Sequence, residues 1–172
     1  MPRLMSPRVF LYVLFLLILD MAFSPALQIG DTRPIFGYLF IPYAAFHWGW
    51  QKTLPAALLI GLSRDLVSTL PFGVELVSLF AVSLALDIIA QKMDRRSTLI
   101  RLLSTFLFVF VVNLAVLVVC SFISHAVGLR WYNVAICLGS ALYATAIMPL
   151  FAIVTAWWFH ERLFLKQYEL FR

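Results

Sequence analysis

The sequence predicts an all-α, polytopic bundle of six transmembrane helices. Three observations lead there: 63% of the side chains are apolar, only 12% are charged, and the charges fall in short breaks between long apolar runs. Soluble domains average about 45–50% apolar and 25% charged residues. A chain of this composition keeps most of its surface in hydrocarbon. The polar stretches are too short for a separate soluble domain, so residues 1–172 are expected to form a single integral membrane domain.

Span 1, residues 9–23, follows Arg3 and Arg8 and has the apolar core of a secretory signal. Asp20 and Met21 extend it without a small-x-small cleavage site, and Pro25 follows Ser24, so the segment is expected to be retained. Ser24-Pro25 and Gly30-Asp31-Thr32-Arg33-Pro34 then break the chain. Span 2, residues 35–50, ends in His47-Trp48-Gly49-Trp50-Gln51-Lys52, whose Trp and Lys suit a headgroup boundary. Span 3, residues 53–70, tolerates Pro55 in its first turn, where a missing N–H costs no intrahelical bond. Pro71 and Gly73 close it.

Span 4 covers residues 72–90 and leads into Gln91-Lys92-Met93-Asp94-Arg95-Arg96-Ser97, the most polar connection. This basic loop is expected to fix topology, with contact to anionic lipid or a cytoplasmic protein as the other reading. Span 5, residues 99–123, ends before Ser124 and His125. Span 6, residues 131–159, is long enough to cross with tilt and holds Pro149 as a kink. The tail from Glu161 is short and amphipathic.

Ten basic residues (Arg3, Arg8, Lys52, Lys92, Arg95, Arg96, Arg101, Arg162, Lys166, Arg172) fall on the side shared by the termini, against Arg33, Arg64 and Arg130 elsewhere. The positive-inside rule therefore puts both termini in the cytoplasm. Span 3 then enters from the cytoplasmic face, and Asp65 lies about twelve residues, roughly 18 Å, into a core about 30 Å thick. The alternative is five spans plus a re-entrant third segment, because only Leu54 to Leu62 is strongly apolar.

The net charge of +5 is accounted for by these loops and tails, and no basic-aromatic surface supports a nucleic-acid partner. Cys120 and Cys137 lie inside spans and read as small apolar packing residues. His47, His125 and His160 sit at separate span ends, so neither a metal site nor a cofactor is expected. The chain holds no nucleophile elbow, no His-Glu-x-x-His and no phosphate loop, which leaves no catalytic residues and no enzymatic activity to expect.

The polar residues inside the spans are the candidates for function. Gly61, Asp65 and Ser68 or Thr69 share one helix face, and Ser83, Asp87 and Gln91 share another, with Glu75 near the outer end of span 4. Asp20, Asn113 and the small stripes Gly139-Ser140-Ala141 and Ala144-Thr145-Ala146 add faces suited to close packing. Two readings stay open: Asp20, Arg64, Asp65 and Asp87 line a polar interior site, or Arg64 pairs with one acid and the set organises the bundle. As sequence neighbours, Arg64 and Asp65 point to different faces and are not expected to pair.

Asp31, Arg33 and Pro34 opening span 2, then Gly61-Leu62-x-x-Asp65 and Pro71-Phe72-Gly73 before span 4, together resemble the bacterial rod shape-determining MreD family over essentially the whole chain. The resemblance implies a non-enzymatic inner-membrane component of the cell-elongation complex, without cofactor or catalytic residues. It also implies association with MreC, the actin-like MreB, the polymerase RodA and its partner transpeptidase. By fold analogy the family is similar to the six-helix substrate-binding subunits of energy-coupling-factor transporters. The expected partner-binding or bundle-organising residues are Asp20, Arg33, Pro34, Gly61, Arg64, Asp65, Pro71, Gly73 and Asp87. The alternative function is a small-molecule or lipid-binding transport subunit.

Overall fold

The computed structural model describes residues 7–30, 32, 34–68, 70–93, 97–123 and 130–159. Among them run six helices: α1 (Pro7–Ala22), α2 (Phe36–His47), α3 (Trp50–Val67), α4 (Val74–Lys92), α5 (Thr98–Ile123) and α6 (Trp131–Trp158). The described residues contain no strand beyond one isolated bridge between Ile29 and Thr32. Asp31, Arg33, Thr69, Ser124, His125, His160, residues 94–96 and the tail lie outside the described residues.

Helix α2 is the axis of the bundle. Every residue from Phe36 through Phe46 is buried, and the helix packs against all five others. Its sequence explains the placement: Phe36, Tyr38, Leu39, Phe40, Ile41, Tyr43 and Phe46 leave no polar face, and a helix apolar all round has to be surrounded. Around it α1 neighbours α3, α3 neighbours α4, α4 neighbours α5, and α5 neighbours α6.

The outer helices are apolar in the opposite sense. Leu99, Leu103, Leu107 and Val111 are exposed at four-residue spacing along α5, and Leu138, Leu142, Leu150 and Ile153 are exposed on α6. Continuous apolar surface on this scale marks contact with lipid or protein. Helices α4, α5 and α6 are long and apolar enough to cross a membrane, which suggests a membrane protein. The others are shorter or more polar. With 16 and 12 residues, α1 and α2 rise about 24 and 18 Å at about 1.5 Å per residue. Helix α3 has 18 residues but carries Lys52, Arg64 and Asp65.

Several boundaries differ from the sequence expectation by two or three residues. Helix α1 starts at Pro7 rather than 9, α2 ends at His47 rather than 50, α3 ends at Val67 rather than 70, and α4 ends at Lys92 rather than 90. Two helix starts shift for evident reasons. Helix α3 begins at Trp50 rather than at 53, because α2 stops before Gly49 and the new helix starts at once, with the Thr53 hydroxyl donating to the Gly49 carbonyl at 3.0 Å. Helix α4 begins at Val74, because Pro71, Phe72 and Gly73 form the turn. Gly73 has φ of 95°, a left-handed conformation that L side chains rarely adopt.

The first and last helices meet through side chains at the end where α1 begins. The Tyr12 hydroxyl lies 2.7 Å from Thr155 Oγ1, Phe15 stacks on Trp158 with centroids 5.8 Å apart, and Trp48 meets Phe159 edge-on at 4.6 Å. Lys52 Nζ sits 4.6 Å from the centre of the Trp48 ring.

The α3–α4 contact depends on Gly61. A Cβ there would lie 2.8 Å from Leu76 Cα, a backbone atom that cannot move without displacing α4. Gly61→Ala is expected to destabilise the protein by about 1–3 kcal/mol through overpacking. Thermal unfolding in detergent, followed by circular dichroism, measures it; an unchanged midpoint would contradict the close approach.

Candidate functional site

The ionisable residues gather where α1 and α3 end and α2 and α4 begin. Neither starting helix has a local cap: Ile35 precedes α2, Gly73 precedes α4, and neither supplies a side-chain acceptor to the free N–H groups of the first turn. Carboxylates from the preceding helices supply it. Asp20 accepts from Phe36 N at 2.6 Å and Gly37 N at 3.0 Å, and Asp65 accepts from Glu75 N and Leu76 N, both at 3.0 Å. Each Asp is two residues before the end of its own helix, so the hairpins α1–α2 and α3–α4 repeat one device. Near the end of its own helix a carboxylate opposes the macrodipole, whereas at the next helix's start it complements one.

Arg64 engages the same turn of α4 from the adjoining position. Its Nε donates to Glu75 Oε2 at 2.7 Å and its Nη2 to Oε1 at 3.4 Å. Thus Arg64 holds the side chain of Glu75 while Asp65 holds its backbone N–H. The guanidinium carbon also lies 5.6 Å from the centre of the Tyr38 ring, tying α3 to α2. Glu75 and Asp65 are buried, and the Arg64 side chain keeps 18% exposure. Among the described residues of the cluster three carboxylates, Asp20, Asp65 and Glu75, face one guanidinium. The amides at two helix N-termini offset part of that excess.

The remaining candidates divide. Pro34 is buried, and its carbonyl accepts from Ser24 Oγ at 2.7 Å, which pins the α1–α2 connection. Pro71 and Gly73 shape the α3–α4 turn, with Val74 N donating to Pro71 O at 3.3 Å. Gly61 and Asp65 face the same stretch of α4. Asp87 does not join the others. It sits twelve residues beyond Glu75 on α4, about 18 Å away along the axis; there Gln91 Nε2 donates to its Oδ2 at 2.7 Å and its Oδ1 has no hydrogen-bond partner among the described residues.

Glu75 is the principal residue that the sequence set lacks. Two signals point to it: an acid in the first turn of α4, and a turn short enough to bring that turn back beside Arg64. The remote caps have a fainter signal, namely two helix starts without Ser, Thr, Asp or Asn at the cap.

Two cavities flank the cluster. One, of about 410 Å³, lies between α1 and α3 and is lined by Asp20, Ser24, Ser63, Arg64 and Ser68 with apolar neighbours. The other, of about 230 Å³, lies between α5 and α6 and is lined by Asn113, Cys120, Asn133, Cys137 and Ser140 among others. Both cysteines are free thiols. Among the described residues no group of three His, Cys, Asp or Glu could hold a metal ion. Both carboxylates of the repeated device are engaged by backbone amides. Carboxylates so engaged hold the starts of α2 and α4 in place.

No protein-family model, curated protein or solved structure matches the chain.

Removing the Asp65 carboxylate leaves two N–H groups without their acceptor, the buried one of Glu75 and the part-buried one of Leu76, and a fully buried unsatisfied group costs about 1–3 kcal/mol. Asp65→Ala is therefore expected to lose about 2–6 kcal/mol, with Asp65→Asn, which keeps one acceptor oxygen, falling between it and the parent. Asp87→Asn removes a charge with one unpartnered oxygen and is expected to change stability by less than about 1 kcal/mol. Unfolding midpoints of the three variants in one detergent decide the matter, and equal losses at 65 and 87 would contradict the capping role.

Proposed function

We propose that the chain is a non-enzymatic scaffold of the MreD kind in a bacterial inner membrane, supporting peptidoglycan synthesis and cell shape as part of the elongation complex. Its direct partner is the membrane helix of MreC, and through MreC it meets RodA, the elongation transpeptidase and MreB. The observation that carries the reading is the assignment of the intramembrane charges. Asp20, Asp65 and the Arg64–Glu75 pair are engaged within the bundle itself, while α5 and α6 turn apolar faces outward. A protein whose polar groups hold its own helices and whose outer faces stay apolar suits recognition of partner helices within the bilayer.

In this reading all six helices belong to the membrane-embedded unit, both termini are cytoplasmic, and the fold is of the energy-coupling-factor substrate-subunit type. The short, fully enclosed α2 needs no lipid-facing surface, so its length is compatible with burial at membrane depth. A small-molecule or lipid-binding transport subunit is the second reading, favoured by the cavity beside Asp20 and Arg64.

Co-purification from detergent extract tests the scaffold. MreC is expected to be recovered with the parent chain and with Asp87→Asn, and to be lost with Asp65→Ala in proportion to the loss of folded protein. Absence of MreC with the parent chain would overturn the reading. Reporter fusions at both termini test the topology: a fluorescent protein should fold and alkaline phosphatase should stay inactive at each end, and opposite signals at the two ends would mean an odd number of crossings.

A further inference from the structure

The cavity between α1 and α3 joins features that no capping role requires. Its walls carry both signs of charge, Asp20 from α1 and Arg64 from α3, and hydroxyls from Ser24, Ser63 and Ser68. Ser24 and Ser63 already donate to the carbonyls of Pro34 and Leu59. Ser68 Oγ is buried and has no hydrogen-bond partner among the described residues. Two of the five Arg64 N–H donors engage Glu75 and the side chain also hydrogen-bonds Tyr38, yet part of it stays accessible.

The rest of the lining is apolar and opens sideways. Leu17, Met21, Pro25 and Val67 complete the walls, and Met21 and Val67 are 55% and 59% exposed on the outer surface of the bundle. The occupant therefore has a polar group for the inner wall and chains that run out between two helices. Its volume of about 410 Å³ falls within the roughly 300–1,000 Å³ typical of ligand sites.

Charge narrows the choice. Among the described residues, a bare anion at Arg64 would meet the carboxylates of Glu75, Asp20 and Asp65, whereas a bare cation at Asp20 would meet Arg64. A dipolar ion satisfies both walls. We propose that this cavity binds the headgroup of a zwitterionic phospholipid, its phosphate at Arg64 and Ser68 and its amine toward Asp20. In the orientation given above, the lipid belongs to the extracytoplasmic leaflet. The site is independent of the scaffold role, and its test does not involve MreC.

Native mass spectrometry of the purified protein, delipidated and then offered equal phosphatidylethanolamine and phosphatidylglycerol, is the experiment. The ethanolamine lipid is expected to be retained roughly tenfold better, since phosphatidylglycerol offers the phosphate without the amine. Ser68→Leu fills the inner wall without removing a hydrogen bond, and Val67→Trp closes the mouth from an exposed position should the first variant fail to fold. Either one, folded by circular dichroism, is expected to bring the two lipids to equal retention. Equal retention by the parent chain, or undiminished preference in a folded variant, would overturn the proposal. Soluble glycerophosphoethanolamine separates the sources of this headgroup. Failure to displace the lipid at tenfold excess supports a membrane ligand, whereas displacement at equal concentration would overturn the lipid assignment in favour of a water-soluble one.

Discussion

The bundle depends on a constraint of backbone chemistry: the first N–H groups of a helix need acceptors, and water is scarce inside an apolar assembly. Helices α2 and α4 begin among buried residues with no capping side chain of their own. Asp20 and Asp65 meet the need from the ends of the preceding helices. Each carboxylate takes two amides, so it sets both the angle and the depth at which the next helix starts. For α2 this placement matters most, because every other helix packs against it.

Arg64 follows from the same constraint. A carboxylate cap at α4 brings Glu75 into the protein, and a buried acid needs a cation or a proton. The residue before Asp65 provides the cation, and its planar fork reaches Glu75 while its carbon face lies near Tyr38. Adjacent side chains on a helix diverge, and here the divergence is useful: Asp65 reaches the backbone of α4 and Arg64 reaches its first carboxylate. A buried ion pair often adds little net stability, but removing one partner leaves a charge stranded. The pair thus enforces its own geometry more than it deepens the fold.

Much of this was legible in the sequence, and the limits have physical causes. Apolar runs between charged breaks marked all six helices, because composition and punctuation act locally. The shared face of Gly61 and Asp65 was legible from helical spacing, and both residues do face α4. Arg64 and Asp65 do not pair with each other, as helical neighbours are expected not to, but both reach the first turn of α4 at Glu75, a convergence that the expectation of separate faces did not contain. The caps were harder: Asp20 acts on residues sixteen and seventeen positions away, and no periodicity spans a turn. Asp87 shared the spacing and chemistry of Asp65 but lies toward the far end of α4, a difference of depth that a helical face does not encode. Nor does apolar content separate α2, enclosed by protein, from α5, whose apolar face is outward; the two are distinguished only once all the neighbours are in place.

The seam between α1 and α6 bears on how the chain assembles during synthesis. Hairpins α1–α2, α3–α4 and α5–α6 join sequential neighbours through short connections and can form as they emerge. The bond between Tyr12 and Thr155 links residues 143 positions apart, so the ring around α2 stays open until α6 has been made. Loop closure over that length is slow relative to local pairing. Until Thr155, Trp158 and Phe159 arrive, the aromatic side of α1 and the flank of α2 are bare, and a nascent chain at that stage is at its most exposed to a chaperone or a mistaken neighbour.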